Sequence, residues 1–598
     1  MAKQKKILNY TSREWNSIRQ DLDSYVRRYY PTNYKDFSEA GFGSLTLDTV
    51  AYIGDILSFY LDYQANESFL DTAIEYDNVI KHGKALGYKF RANPTSYGNV
   101  DLFIVVPASS TGVGPDSRYI PILMQGTAIS STNGNGFILN ENVNFADSNN
   151  EVVVAAVDET TGVPVSYAIK ATGQVISGEI AQETRVIGDF TKFMKVELFG
   201  DNLAEVLSVV DSEGHEYFEV DYLSQNVIYK EITNRDSSTR ELAKAILKPF
   251  IAARRFITIQ EPGKMILQFG YGSNEEIKSN SVADPTEVVL QVHGKNYTAD
   301  NSFDPSKLMQ TDKFGVAPSN TTLYIQYRNN SSQNTNASVD TISDVMSPLF
   351  SFHDEVKLNN TTISSVKESL EVTNSEPIVG DISLPNSEEL KKRIFDVYAS
   401  QNRAVTKQDY LSLIYNMPPQ FGGIKRANIV QDNDSFKRNL NLYVISEDED
   451  GSLVTTNSVI KKNLKTWLQK NKMMNDTVDI LNVKIVNIGI EFQVIAKDES
   501  NKFEALSDSV EALREDYNIN FDAGEDFDVT RVYSVLKDVD SVLDVVDVKI
   551  VSKNGGVYSD TRFNLDDAMS ADGRSVSCPE NCIFEIKYMN SDIVGSVR

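Results

Sequence analysis

The sequence predicts a multidomain α+β protein with an α-helical N-terminal domain, a β-rich middle domain and α/β C-terminal domains. The chain has 598 residues. This exceeds the length that a single hydrophobic core usually supports, so several domains are expected. Hydrophobic residues make up 41% of it, as in ordinary globular proteins. The spacing of the apolar residues changes from helical to strand-like and then alternates between the two, which divides the chain into segments.

Five segments are predicted. We expect a helical assembly domain at residues 1–95, a β-rich domain at 96–292, an extended connector at 293–345, a helical segment at 346–426 and an α/β domain at 427–598. Two passages rich in Asn, Ser and Thr, at 329–338 and 359–365, are predicted linkers. They place a domain boundary near residues 330–345.

The N-terminal segment opens with a helix marked by Trp15, Ile18 and Leu22, and a longer helix at residues 42–70 is its most informative element. The longer helix carries two adjacent apolar stripes, the first formed by Val50, Ile53, Leu57, Tyr60 and Leu61, the second by Tyr52, Ile56, Phe59 and Tyr63. Together the stripes span roughly 200° of the helix circumference. A single packing partner usually covers a narrower surface than this. The second stripe is therefore expected to meet another helix, domain or subunit.

The remaining side of this helix is predicted to face solvent. Asp48, Asp55 and Asp62 recur on it every seventh residue, with Gly54 and Ser58 beside them. Two interpretations fit the pattern: a buried helix with a solvated acidic edge, or a bundle seam between subunits.

From residue 99 to about residue 292, short apolar runs alternate with clusters of Gly, Asn, Ser and Pro, which predicts strands. Helices are expected again at residues 387–400 and 407–415. The second of these has a readable start, because Thr406 and Asp409 have the spacing of a capping box.

After residue 427 strands and helices alternate. A strand contains Leu440, Leu442 and Val444, and residues 488–496 alternate strictly between apolar and other positions. Helices are predicted near residues 460–468, 503–513 and 529–536, and a final strand at 542–550. This order indicates an α/β sandwich of ferredoxin-like character.

Charge and composition limit the partners. The formal net charge of −26 argues against wrapping DNA or lying on an anionic membrane, so neither nucleic acid nor membrane is an expected partner. Residues 1–35 are locally basic, with eight basic and three acidic residues, and this arm could dock on an acidic neighbour, on a second copy, or form a solvated helix face. The two cysteines, Cys578 and Cys582, are expected to be free thiols. No apolar stretch has the length of a membrane span, and no signal peptide is expected.

No motif indicates chemistry. The sequence lacks a phosphate-binding GxxxxGK[ST] loop, an HExxH metal motif and a GxSxG nucleophile motif. The scattered histidines and the two cysteines do not have the spacing of a zinc site. We therefore predict no catalytic residue, no cofactor and no metal, and a protein that is not an enzyme.

Several stretches resemble one family when they are taken in order. They are FGSLTLD and QANESFLDTA at the ends of the long helix, ILMQGTAISSTNGNGF at 122–137, the Arg-Phe strand and FGYG turn at 255–272, FGVAPSNTTLYIQY at 314–327, and RAVTKQDY at 403–410 with Arg403, Thr406, Asp409 and Tyr410. Together they resemble the baseplate J-like family, the wedge subunits of contractile-tailed bacteriophages.

The resemblance implies a structural role. Such a subunit pairs with itself, joins a helical bundle with other baseplate wedge proteins, and closes a ring around the hub, beneath the tube and sheath, in the virion tail baseplate. Synthesis and assembly in the host cytoplasm are expected, and the linkers near residues 330 and 360 are predicted hinges. Two alternatives remain: a ring component of a phage-like injection or secretion machine, and a tail glycan hydrolase.

Overall fold

The computed structural model describes residues 14–32, 41–90, 94–109, 113–160, 162–199, 203–233, 245–261, 263–273, 314–330, 335–353, 355–432, 439–497, 501–517 and 521–598. Lys3, Lys5 and Lys6 of the basic arm and residues 293–313 of the predicted connector lie outside these ranges. The helices are α1 (Trp15–Tyr29), α2 (Phe42–Glu67), α3 (Tyr76–Ala85), α4 (Asn360–Glu368), α5 (Ser387–Ser400), α6 (Lys407–Tyr415), α7 (Ser458–Gln469), α8 (Lys502–Tyr517), α9 (Val529–Lys537) and α10 (Leu565–Ala568).

The strands of the first half are β1 (Tyr97–Pro107), β2 (Ile122–Leu123), β3 (Ala128–Ser131), β4 (Gly136–Leu139), β5 (Val143–Asn144), β6 (Glu151–Val157), β7 (Pro164–Ser177), β8 (Glu179–Ile187), β9 (Lys195–Phe199), β10 (Leu203–Asp211), β11 (Glu216–Glu219), β12 (Val227–Thr233), β13 (Ala245–Ile251), β14 (Arg255–Glu261) and β15 (Lys264–Phe269). Those of the second half are β16 (Thr321–Asn329), β17 (Ile342–Ser347), β18 (Phe350–Ser351), β19 (Glu371–Thr373), β20 (Arg426–Gln431), β21 (Asn439–Glu447), β22 (Leu453–Val454), β23 (Thr477–Asn482), β24 (Lys484–Ala496), β25 (Phe527–Asp528), β26 (Val542–Lys553), β27 (Ser575–Val576), β28 (Cys582–Glu585) and β29 (Ile593–Val597).

The fold is mixed α+β, with a helical N-terminal region followed by a β-rich body, which confirms that part of the prediction. The chain forms two compact units, one of Met1–Phe90 with Pro385–Gln401 and one of Arg91–Leu384 with Asn402–Arg598. Helix α5 thus belongs to the same unit as α1–α3, although it lies in the predicted 346–426 segment. The five segment boundaries stay a prediction.

The first unit has a small apolar core between α3 and α5. Val79 and Ile80 on α3 are buried, as are Leu390 and Ile394 on α5. A Cβ atom on Gly83 would lie 2.7 Å from Cδ1 of Ile394, so glycine sets how closely the two helices approach. Helix α2 packs instead against α1.

The second unit begins with a sheet in the order β17-β3-β4-β7-β1-β19, to which β6 is added on β7, and a three-stranded sheet in the order β18-β2-β5. Helix α4 completes their core with Ile363 and Val366. The prediction of a linker at 359–365 is therefore wrong. The polar composition hid a helix, which Asn359 caps by accepting a hydrogen bond from the Thr361 N–H at 3.0 Å.

A second seven-stranded sheet has the order β8-β16-β10-β11-β14-β15-β9. Its two end strands approach each other, because an Nη2 of Arg185 on β8 donates to the Glu197 carbonyl on β9 at 3.2 Å. Two of the motif residues, Arg255 and Gly315, meet in this part. The Arg255 side chain is fully buried and donates to the carbonyls of Leu223 and Ala252 at 2.8 and 2.7 Å, and it packs against Gly315.

The C-terminal part contains two further sheets with helices against them. Strand β21 pairs with β20, β22 and β23, and α6 and α7 pack their apolar residues on this sheet. Strand β24 pairs with β26 on one side and with β28 and β29 on the other, and α8 and α9 share its core. The strand expected at 542–550 is present but is not the final one. Ferredoxin-like character stays a prediction.

Both cysteines are buried and free. No helix within the described ranges combines the length and apolar character of a membrane span.

Gly270→Ala should destabilise the second unit by about 1–3 kcal/mol, the usual range for overpacking. A Cβ atom at residue 270 would lie 2.2 Å from the Gly315 carbonyl oxygen and 2.3 Å from that of Phe314, and main-chain atoms cannot rotate away. Gly188→Ala is the matched control, since its Cβ would meet nothing within 4 Å. Equal denaturation midpoints for the two variants would contradict the close approach.

Candidate assembly surface

Helix α1 packs on the side of α2 that carries small residues. Ser44, Ala51 and Ser58, spaced seven residues apart, are buried there. A Cβ atom on Gly54 would lie 3.3 Å from Cδ1 of Ile18 on α1. Small side chains let two helices approach closely, so this side forms the contact within the chain.

Polar contacts fix the same helix pair. Arg19 on α1 forms an ion pair with Asp48 on α2 at 2.9 Å and donates to the Ser44 hydroxyl at 2.9 Å. The Trp15 indole N–H donates to the Asp48 carbonyl at 3.4 Å. The prediction that this acidic side faces solvent is therefore wrong for Asp48, Gly54 and Ser58. Hydrophobicity alone does not report where small residues permit close packing.

The two apolar stripes lie on the outside of the helix pair. The exposed fractions of Phe59, Leu61 and Tyr60 are 64%, 63% and 61%. Of the other residues predicted for the assembly helix, these are also exposed: Val50, Tyr52, Ile53 and Leu57. Ile56 and Tyr63 are half-buried. The exposed surface continues to Phe42 and Leu45 at the start of the helix.

The end of α2 is held by a carboxylate that the sequence analysis did not identify. Glu67 is buried and accepts hydrogen bonds from the Ile74 N–H at 2.7 Å, the Glu75 N–H at 3.3 Å and the Asn78 amide at 2.9 Å. Desolvation opposes ionisation, but these hydrogen bonds outweigh it and lower the pKa of Glu67. The only sequence signal was its place in the QANESFLDTA stretch. This contact fixes the direction of α3 after α2.

The capped helix α6 starts as the sequence spacing suggests. The Asp409 N–H donates to the Thr406 hydroxyl at 3.2 Å, and the Asp409 carboxylate accepts from the Thr406 N–H at 2.9 Å. Desolvation opposes ionisation of Asp409, but the hydrogen bonds outweigh it and, together with the charge of Arg403, lower the pKa of this carboxyl. Tyr410 is buried and donates to Asp476 at 2.8 Å. These contacts are local and structural, and any further role of the four signature residues stays a prediction.

Residues 335–338, part of the predicted linker at 329–338, are packed into the body of the second unit. Asn336 is fully buried, and its amide donates to the carbonyls of Asp381 and Glu447, each at 2.8 Å. Its side-chain oxygen accepts from the Asp381 N–H at 3.0 Å. The linker interpretation is wrong for residues 335–338, because asparagine satisfies buried main-chain groups here.

Two buried carboxylates share this junction with one lysine. Lys425 lies 2.8 Å from Glu447, which also accepts from the Ser383 N–H at 3.2 Å. Asp381 accepts from the Thr335 N–H at 3.0 Å and the Thr335 hydroxyl at 3.2 Å. Burial raises the pKa of Asp381 to about 7, the negative charge of Glu447 adds to the rise, and the hydrogen bonds from Thr335 oppose it.

Comparison with known proteins bears on the helical region. Residues 14–85 match the family model described as bacteriophage baseplate protein, N-terminal domain, and this range contains α1, α2 and α3. The match supports a baseplate structural role. No curated protein sequence matches the chain.

Two solved baseplate assemblies are similar at low identity. A chain of the six-fold symmetrised cryo-EM baseplate of the anti-feeding prophage is 10% identical, with 95% of this chain and 90% of that chain covered and a TM-score of 0.24. A chain of the type VI secretion system TssK-TssF-TssG baseplate subcomplex is 8% identical, with 74% and 96% covered and a TM-score of 0.24. At this TM-score neither likeness bears on fold or function.

Thr406→Val should lower the stability of α6 by about 1 kcal/mol, because the hydroxyl caps the first turn. Trp467 reports on this helix directly, since its indole N–H donates to the Leu413 carbonyl at 2.9 Å. In a Trp15→Phe background the fluorescence of Trp467 follows denaturation of this region alone. Thr466→Val, an exposed mid-helix threonine, is the control and should change little; an equal loss in both variants would refute the capping role.

Asp381 should make stability fall as pH rises. Between about pH 4 and pH 7 the folded chain retains a proton that the unfolded chain has released, so the free energy of unfolding falls through this window and is level above it. The total change is on the order of 4 kcal/mol at most, since each pKa unit is about 1.4 kcal/mol. Denaturation midpoints of Asp381→Asn, whose amide oxygen can still accept from Thr335, should lose this slope; an unchanged slope would contradict it.

Proposed function

We propose that this chain is a non-enzymatic structural subunit of a contractile-tail baseplate, a wedge subunit of the baseplate J-like kind. Its N-terminal helices join a bundle with neighbouring subunits. The observation that carries this proposal is the orientation of α2, which turns its small residues inward and its large apolar residues outward. The family match over residues 14–85 falls on the same helices.

The exposed face of α2 has the spacing of a bundle seam. Val50, Ile53, Leu57 and Tyr60 follow one another at intervals of three, four and three residues, as core positions of a coiled coil do. Full burial of each large apolar side chain contributes about 1.5–3 kcal/mol, so covering several of them supplies a strong driving force for association. An exposed apolar face of this extent is typical of a protein interface.

The finer parts of the proposal rest on the motif resemblance. In this role the subunit pairs with itself, binds other baseplate wedge proteins and closes a ring around the hub, beneath the tube and sheath. It resides in the virion tail and is assembled in the host cytoplasm. Helix α6 and the FGYG turn then have a structural role in the second unit, because their hydrogen bonds are made to other residues of that unit.

Ile53→Asp combined with Tyr60→Asp should abolish incorporation into tails while leaving the isolated chain folded. Both side chains are more than half exposed, so charge there disrupts a partner contact and not an internal core. Circular dichroism melts test folding, and negative-stain counts of tails from a phage genome carrying the variant test assembly.

The matched control is Val186→Asp combined with Val557→Asp, two valines of the second unit whose exposed fractions are 82% and 61%. These variants should assemble normally. Normal tails from the α2 variant, or its unfolding in isolation, would each refute the bundle assignment.

A further inference from the structure

Strand β6 is exposed along its whole length. All residues of Glu151–Val157 are exposed, and four of them are valines, with exposed fractions of 46% for Val152, 55% for Val153, 44% for Val154 and 54% for Val157. Neighbouring Val165 on β7 is also exposed. Both faces of the strand therefore present apolar side chains to the outside.

One edge of β6 is open within the described ranges. Strand β7 pairs with β1 along one side, and its other side pairs with β4 through residues 175–177 and with β6 through residues 164–170. No other described strand pairs with β6. Its outer row of main-chain N–H and C=O groups is therefore available to another strand.

This edge lacks the features that usually prevent edge-to-edge pairing. Lysine, proline or a bulge normally protects such a strand, yet Val152, Val153 and Val154 include no charge and no proline. The register shifts that disrupt pairing with β7 begin only after Val154. Val152, Val153 and Val154 thus form a regular, uncharged template.

We propose that β6 is a strand-addition site occupied by β6 of a second copy, paired antiparallel about a two-fold axis at Val153. The site lies in the β-rich body and does not depend on the helical bundle. The two copies would share one continuous sheet through β7, β6 and the second β6.

The sequence of the strand is self-complementary, which favours a second copy as the occupant. In the proposed register Val152 faces Val154 of the other copy, Val153 faces itself, and Glu151 faces Ala155. Within residues 151–155 no like charges are opposed, and a self-complementary patch of this kind is what a two-fold interface requires.

Cysteine cross-linking tests the site in the full chain. The Ile53→Asp and Tyr60→Asp background removes any dimer formed through α2, so failure here is distinct from failure of the bundle. Directly opposed residues of antiparallel strands have Cβ atoms about 4.5–5.5 Å apart, close to what a disulfide spans. Under mild oxidation Val153→Cys should give a covalent dimer, while the exposed control Val557→Cys and the parent, whose cysteines are buried, should not.

Register and occupant are tested separately. A mixture of Val152→Cys and Val154→Cys chains should give mixed dimers in several-fold excess over those formed by either chain alone, and Val153→Lys should lower the light-scattering mass to that of a monomer. Absence of the Val153→Cys dimer, no excess in the mixture, or an unchanged mass for Val153→Lys would each overturn the proposal. So would a Val153→Cys chain that cross-links only to another baseplate protein.

Discussion

The close approach of α1 to the small side of α2 is the constraint on which the proposed assembly role depends. Gly54 and Ser58 remove the bulk that would separate the helices, and the Arg19–Asp48 ion pair fixes their register. Partly exposed ion pairs of this kind contribute little stability by themselves, typically up to about 1 kcal/mol. The Arg19–Asp48 pair instead helps to orient α2, with its small residues against α1. In this orientation the two apolar stripes lie on the outside of the helix pair.

The second unit holds its segments together by buried polar contacts as well as by apolar cores. Asn336 joins the chain around Asp381 to the end of β21. Lys425 pairs with Glu447, whose negative charge disfavours ionisation of Asp381. Breaking such a network leaves buried groups unsatisfied, which is more costly than losing an exposed loop contact. Residues 335–338 therefore hold neighbouring segments of the second unit together.

The motif resemblance has a physical explanation in the β-rich body. Arg255 and the FGYG turn come from one stretch of the sequence and the FGV residues from another, and they meet at one place. Gly270 is required because the 314–315 main chain passes against it, and Gly315 has a φ of 93°, a conformation that favours glycine. Packing against one another accounts for the positions of these residues.

The sequence by itself determined the elements whose signals are local. The Thr406 cap, the alternating strand through Ile488 and Ile490, and the helix with two apolar stripes follow from neighbouring residues, so periodicity and spacing could identify them. Tertiary structure decided which side of α2 faces inward, the burial of residues 335–338, the grouping of α5 with α3 and the exposure of β6. Each of these depends on which surface distant residues cover, and one sequence records a residue's own polarity but not the identity of its neighbours in space.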